Sequence, residues 1–302
     1  MTWPLLLASG RTVKLWAMKF FAILFLTLVA ACSQQQPDSS EQKLLFTAIP
    51  DTNSSELTTK FKPVAAYLSQ RLGITVEYVP TSDYSASVEM FKNGDVQLAW
   101  FGGLSGVQAR AAVEGSQAIA QGVEDPNFKT YFIAHESTGI NRSDDFPHAM
   151  EGMTFTFGSP KSTSGRLMPE YYISKHTGKS TDAFFGRENS FSGSHDKTAK
   201  LVEAGTFQAG ALNYLTYDRM VAAGDIDPDV CKVVWVTPTY PDYNWTVHAD
   251  VDAELVAKLQ QALLEMKDPE LLKAIDRLNG LIKATNADFA PVHELATQLG
   301  FL

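Results

Sequence analysis

From Leu44 onward the chain alternates short apolar runs with longer amphipathic stretches. The run LLFTAIP at 44–50 and the segments 75–79, 96–100 and 118–121 read as strands, while 55–71, 85–93 and 105–114 read as the helices between them. That order predicts an α/β sheet with helical crossovers. FIAHESTG then carries the chain out of this region, and a second cycle follows. It contains MTFTFGS, helices over 166–176 and 196–204, AGALNYL, and the apolar run 232–236. TPTYPDYNWTV reads as a return crossing, and three further helical segments finish the chain.

Two α/β lobes joined by crossing strands enclose a cleft, and ligands favour such a boundary. The expected division is lobe one at 41–135 plus 240–302 and lobe two at 136–239, with a single continuous open sheet as the structural alternative. No internal repeat is apparent.

The start of the chain has a different pattern. Arg11, Lys14 and Lys19 precede an apolar run from Phe20 to Ala31, followed by Cys32, which reads as a signal peptide over 1–31 rather than a spanning helix. Met18 begins a more typical leader, so Met1 and Met18 both stand as starts. VAAC before the polar stretch SQQQPDSSEQ looks like a bacterial lipobox. Its small residues admit the processing peptidase, and the thiol of Cys32 receives diacylglycerol. Residues 32–40 then form the lipidated cysteine and a short polar tether, which places the protein at the bacterial cell envelope, outside the cytoplasm.

Across 302 residues, 45% are hydrophobic and 20% charged, which fits an ordered globular protein and excludes a disordered or disulfide-scaffold class. The net charge is -9, so a nonspecific nucleic-acid surface would work against the global field. Removing the leader takes away three basic residues and no acidic ones, leaving 22 against 34, or -12. Once Cys32 is acylated, Cys231 has no cysteine partner in the chain, and its place before KVVWV suits a packed thiol. A closing receptor works as a monomer, and nothing here calls for a dimer.

The most informative segment is FTFGSPKSTSGRLMPEYYISKHTG, where a strand runs through Gly158 into Ser162, Thr163 and Ser164 at a helix start. Hydroxyls and exposed backbone N–H groups there suit a tetrahedral anion. Simple capping by Ser162 or Ser164 is the equal alternative, and the spacing of a P-loop is absent. In a second cluster, Ser194, His195 and Asp196 stand at another helix start. His195 either donates to an oxyanion, more favourably when protonated, or caps the surface. No nucleophile elbow accompanies it. In the first lobe Tyr84 offers a phenolic hydrogen bond, while Trp100 and Phe101 form either an apolar wall or ordinary core.

Together, DYSASVEMFKNGDVQLAWFGG, GSPKSTSG and FSGSHDKTAKLVEAG, in that order, resemble the phosphate-, phosphite- and phosphonate-binding receptors of ABC transporters, the PhnD-like proteins. The likeness covers about 43–249. It implies a type II periplasmic-binding fold, closure of two lobes around an oxyanion, and delivery to a permease and its ATPase subunit. By the same resemblance Tyr84 belongs to the first-lobe pocket, Ser162, Thr163 and Ser164 grip the anionic head group, and His195 adds a donor. Phosphonate receptors typically carry a tyrosine near the place of Trp100 and Phe101, and acidic residues for an aminoalkyl group. Here the corresponding stretch is TPTYPDYNW, with Tyr240, Asp242, Tyr243 and Asn244 as candidates. Asp242 either meets a ligand amine or caps a turn. Some relatives are assigned to selenate uptake, so phosphate-like and selenate-like anions both stand.

The mechanism this implies is reversible capture with no cofactor or metal. The histidines form no HExxH and no EF-hand loop occurs. A periplasmic sensor that signals to a membrane partner would use the same pocket, and an extracellular enzyme is a third class.

Overall fold

The computed structural model describes residues 43–302, so the expected leader, Cys32 and the tether lie outside the described residues. Its strands are, in chain order, β1 (Lys43–Ala48), β2 (Thr75–Tyr78), β3 (Leu98–Phe101), β4 (Gln117–Gly122), β5 (Thr130–His135), β6 (Phe155–Phe157), β7 (Ser190–Phe191), β8 (Ala209–Asn213), β9 (Cys231–Val236), β10 (Asn244–Val247) and β11 (Leu281–Lys283). They form two sheets, ordered β11-β4-β10-β3-β1-β2 and β7-β6-β8-β5-β9.

In the first sheet β2, β1 and β3 are parallel, and β10 returns antiparallel between β3 and β4. Parallel strands need helical crossovers, here Ser54–Leu72 and Tyr84–Lys92. All four residues of β3 are buried, which is why it reads as a continuous apolar run, whereas β10, equally buried, alternates polar and apolar residues. The second sheet joins β6 in parallel to β7 and β8, and β5 runs antiparallel to β8 and β9.

One expectation is corrected by this pairing. Thr130–His135, assigned to lobe one, is the second-sheet strand β5, hydrogen-bonded to β8 and β9. The chain therefore leaves the first sheet after Gly122, ahead of the expected boundary at 135. Only apolar content was visible there, and it does not say which sheet a strand joins. The segment read as a return crossing also ends in β10, a central strand, and β11 adds an edge strand that three residues were too short to announce.

The two crossings, 123–129 and 237–243, lie side by side. Phe128 and Tyr240 exchange backbone bonds of 2.9 and 3.0 Å, and the Asp242 amide donates to the Asp125 carbonyl at 3.0 Å. This two-stranded hinge is fixed to the first sheet by a buried ion pair, Arg277 to Asp125 at 2.7 Å. The Arg277 guanidinium also lies 4.6 Å from the Tyr243 ring centroid and 5.2 Å from that of Trp100.

Aromatic rings fill both cores. Trp245 packs against Phe46 and Trp100, with centroids at 5.9 and 5.2 Å, while Phe132 meets Trp235 at 5.2 Å in the second lobe. Rings of this size dominate core energetics, and truncating one costs about 3–5 kcal/mol.

Candidate functional site

The carboxyl ends of the parallel strands deliver their loops to one place between the sheets. Asp51 follows β1, Gly102 and Gly103 follow β3, Ser162 to Ser164 follow β6, His195 follows β7 and Asn213 ends β8. Asp242 and Tyr243 arrive on the returning hinge segment just before β10. In open α/β sheets this is the edge where ligands bind.

Ser162 caps a π-helical turn, Thr163–Leu167, its Oγ accepting from the Gly165 amide at 2.9 Å. The amides of Thr163 and Ser164 open that turn, where a helix leaves its N–H groups without internal acceptors. Two glycines let the turn fold back on its own strand. Gly158 N–H donates to the Gly165 carbonyl at 2.8 Å, and a Cβ on Gly165 would stand 3.0 Å from both Gly158 Cα and Ser162 Oγ. The capping reading of Ser162 is the one this geometry carries, and the cap holds the amides of Thr163 and Ser164 at the start of the turn.

The two lobes meet directly here. Thr163 Oγ1 accepts from the Leu104 amide at 2.9 Å, and the His195 amide donates to the Asp51 carbonyl at 2.9 Å. His195 is buried, and its Nδ1 accepts from the Asn213 amide at 3.4 Å, which leaves Nε2 as the N–H donor. Burial pulls its pKa down to about 3. It is therefore a neutral donor at physiological pH, and the expectation that protonation strengthens it is corrected by that burial.

Asp242 resolves in favour of capping, with a remainder. Its Oδ1 accepts from the Gly103 amide at 2.7 Å, at the start of helix Gly103–Ala112, whose own cap residue Gly102 has no side chain to offer. A Cβ on Gly103 would stand 3.1 Å from the Pro241 carbonyl oxygen, so the close approach requires glycine. Asp242 Oδ2, by contrast, is shut off from solvent and has no protein partner. Burial pushes the carboxyl up to about 7, against the lowering influence of the Gly103 amide and the Thr163 hydroxyl. The Tyr84 hydroxyl is likewise enclosed and unpartnered, with Ser162 beside it outside bonding geometry, and burial raises its pKa.

The other expected residues are divided. Trp100 packs against Tyr243 at 5.5 Å and borders a small cavity with Asp51, Thr52 and Asn213. Phe101 points to the opposite face, as the next residue of a strand must, and packs edge-on to Phe91 at 5.5 Å. It belongs to the core rather than to a ligand wall. Tyr240 is committed to the hinge, its hydroxyl 2.6 Å from Thr130 Oγ1.

Two neighbours, Asp51 and Asn213, escaped the sequence reading, and the candidate Tyr243 joins them. Tyr243 donates to Asp51 Oδ2 at 2.9 Å and accepts from Asn213 Nδ2 at 3.0 Å, a chain that links both lobes through the hinge. Enclosure pushes Asp51 up to about 6, despite the Tyr243 hydrogen bond. The available signal was positional, since Asp51 and Asn213 are the polar residues that follow or end apolar strands.

Known proteins share this fold. Residues 46–289 match the family described as the ABC transporter, phosphonate, periplasmic substrate-binding protein. The chain belongs to that family. It is 34% identical over 271 residues to a probable ABC transporter phosphite-binding protein of Prochlorococcus marinus, covering 86% of this chain and 91% of the relative. It is 26% identical to a phosphate-import protein of Mycolicibacterium smegmatis, covering 90% and 92%. The solved structure of the P. marinus protein PhnD1 in complex with methylphosphonate superposes with a TM-score of 0.81 at 33% identity, covering 87% of this chain and all of that one. The two-lobed α/β fold of periplasmic binding proteins is thereby shared. Among the described residues no cluster of His, Cys, Asp and Glu has the makings of a metal site.

Proposed function

We propose that this family member captures a small phosphorus oxyanion carrying a proton, of the phosphite, phosphate or alkylphosphonate type, and delivers it to an ABC permease and its ATPase. One observation carries the reading. Between the lobes, a buried donor and a buried acceptor, Tyr84 Oη and Asp242 Oδ2, both lack protein partners beside the opening amides of the 163–167 turn. Buried polar atoms without partners are costly, and a protonated tetrahedral oxyanion satisfies both. Its unprotonated oxygens take hydrogen bonds from Tyr84, the Thr163 and Ser164 amides and His195 Nε2–H, while its hydroxyl donates to Asp242.

Selectivity follows from charge. A fully deprotonated anion such as sulfate or selenate brings no hydrogen for Asp242, so it is repelled once that carboxyl is ionised, above about pH 7. The mechanism is reversible capture, in which donors from both lobes replace water around the anion and stabilise the closed state. The lobes assigned here are 43–122 with 244–302, and 130–236, hinged by the segments between. A lipid on Cys32 holds the receptor at the envelope, and a Cys32→Ser protein that still incorporates radiolabelled palmitate would remove that assignment.

The test is calorimetric titration of residues 33–302 with phosphite, phosphate, methylphosphonate, 2-aminoethylphosphonate, sulfate and selenate at pH 8, where the Asp242 carboxyl is mostly ionised. One-to-one binding of a phosphorus anion with weaker sulfate and selenate is expected. Equal binding of all six, or none, would overturn it.

A further inference from the structure

The turn that presents Thr163 and Ser164 to the cleft also carries Arg166 and Leu167, and these two side chains reach the other lobe. Leu167 is fully buried in a cluster otherwise made of first-lobe residues, among them Leu104, Val107 and Phe289. Arg166 lies 4.6 Å from the Phe157 ring centroid and 5.5 Å from that of Phe191, both in its own lobe, and pairs with Glu170. Its guanidinium also stands 5.5 Å from the ring centroid of Phe301, next to the last residue of the chain. Phe301 is anchored in the first lobe by its amide to the Ala296 carbonyl at 2.8 Å, and by Gln108 Nε2 to its own carbonyl at 2.8 Å. Gln108 Oε1 in turn accepts from Lys161 Nζ at 3.4 Å, a second bridge to the same loop.

We infer that Phe301 is a positioning residue for ligand retention: by clasping Arg166 it latches the 163–167 turn against the first lobe and slows release of the bound anion. The inference rests on the capture reading above. An arginine over an aromatic face is attracted by the ring quadrupole, and the contact spans two bodies that must separate for the ligand to leave. The latch therefore stabilises the closed state without being among the groups assigned to the anion. Contacts made only in one state shift the equilibrium toward it by their differential energy.

Stopped-flow association and dissociation of methylphosphonate, in the full soluble domain, test this on Phe301→Ala, Phe301→Tyr and Gln108→Ala. Phe301→Ala is expected to release the ligand about 3- to 10-fold faster, with the association rate within about twofold of wild type. Phe301→Tyr, which keeps the ring, restores slow release. Gln108→Ala leaves the rings in place, removes the anchor on the Phe301 carbonyl and the bridge from Lys161, and also speeds release. Melting of the ligand-free proteins is measured in parallel, because a purely structural role would lower it without a change in dissociation rate. Unchanged dissociation in both Phe301→Ala and Gln108→Ala, with wild-type binding intact, would overturn the latch alone. Failure of the wild type to bind any phosphorus anion would instead overturn the capture reading.

Discussion

Replacing Asp242 by Asn keeps the side chain's shape and its acceptor for the Gly103 amide while removing its charge. The native carboxyl sits at about 7 against an ordinary 3.8, chiefly because it is buried. A carboxyl with a raised pKa holds its proton more tightly in the folded chain than in the unfolded one. Its stabilising contribution is therefore complete below about pH 4 and is lost as pH rises through about 7. At roughly 1.4 kcal/mol per pH unit, the swing across that window reaches about 4 kcal/mol. Asp51 and Asp125 also have raised values, but both proteins carry them and they cancel in the difference. Urea unfolding of wild type and Asp242→Asn at pH 4, 6 and 8 reads the effect. The variant is expected to gain on wild type progressively from pH 4 to pH 8, by an amount up to that ceiling. Parallel stability curves would refute the reasoning, because they would mean that the carboxyl meets water in the native state. The same variant offers an amide N–H where the carboxylate was, so it is expected to bind sulfate more tightly than wild type at pH 8.

Three further perturbations probe the turn and the hinge. Thr163→Val removes the hydroxyl that accepts from Leu104 across the lobes. Leaving that amide unsatisfied costs about 1–3 kcal/mol in the closed state, so calorimetry is expected to show about 5- to 150-fold weaker methylphosphonate binding; unchanged affinity would remove Thr163 from the site. Gly165→Ala forces a Cβ to within 3.0 Å of Gly158 Cα and Ser162 Oγ, and both melting temperature and affinity should fall, whereas a variant with wild-type affinity would show that the turn is not set by this contact. Asp125→Asn strands the buried Arg277 and should lower unfolding free energy by about 3–5 kcal/mol, read as a drop in the urea midpoint; a loss below about 1 kcal/mol would mean that the hinge is held elsewhere.

Much of the fold was legible because its elements are strongly periodic. Strands β1 to β4 of the first sheet and the helices between them lie near their expected positions, and three helices follow β10 as expected. What failed was assignment between sheets: Thr130–His135 has the same apolar content whichever sheet it joins, and only hydrogen-bond pairing decides. At the site, the place of Ser162 to Ser164 and of His195 at helix starts was legible. Asp51 and Asn213 were not, since they are tied together through Tyr243, which lies 192 residues beyond Asp51. The protonation of His195 and Asp242 was also beyond reach, because enclosure by distant segments sets it. The choice left open for Phe101 between wall and core turns on strand geometry: adjacent residues face opposite ways, so Trp100 and Phe101 do not share one wall, and Phe101 packs on Phe91.

The central claim is that the 163–167 turn and its enclosed partners hold a protonated phosphorus oxyanion between the lobes. A crystal structure of the soluble domain grown with methylphosphonate tests it most directly. The account predicts phosphorus density between the sheets, with oxygens within hydrogen-bonding distance of the Thr163 and Ser164 amides, Tyr84 Oη and His195 Nε2, and one oxygen against Asp242 Oδ2. Density elsewhere, or an oxyanion in the cleft whose oxygens avoid both Asp242 and the 163–167 turn, would contradict it.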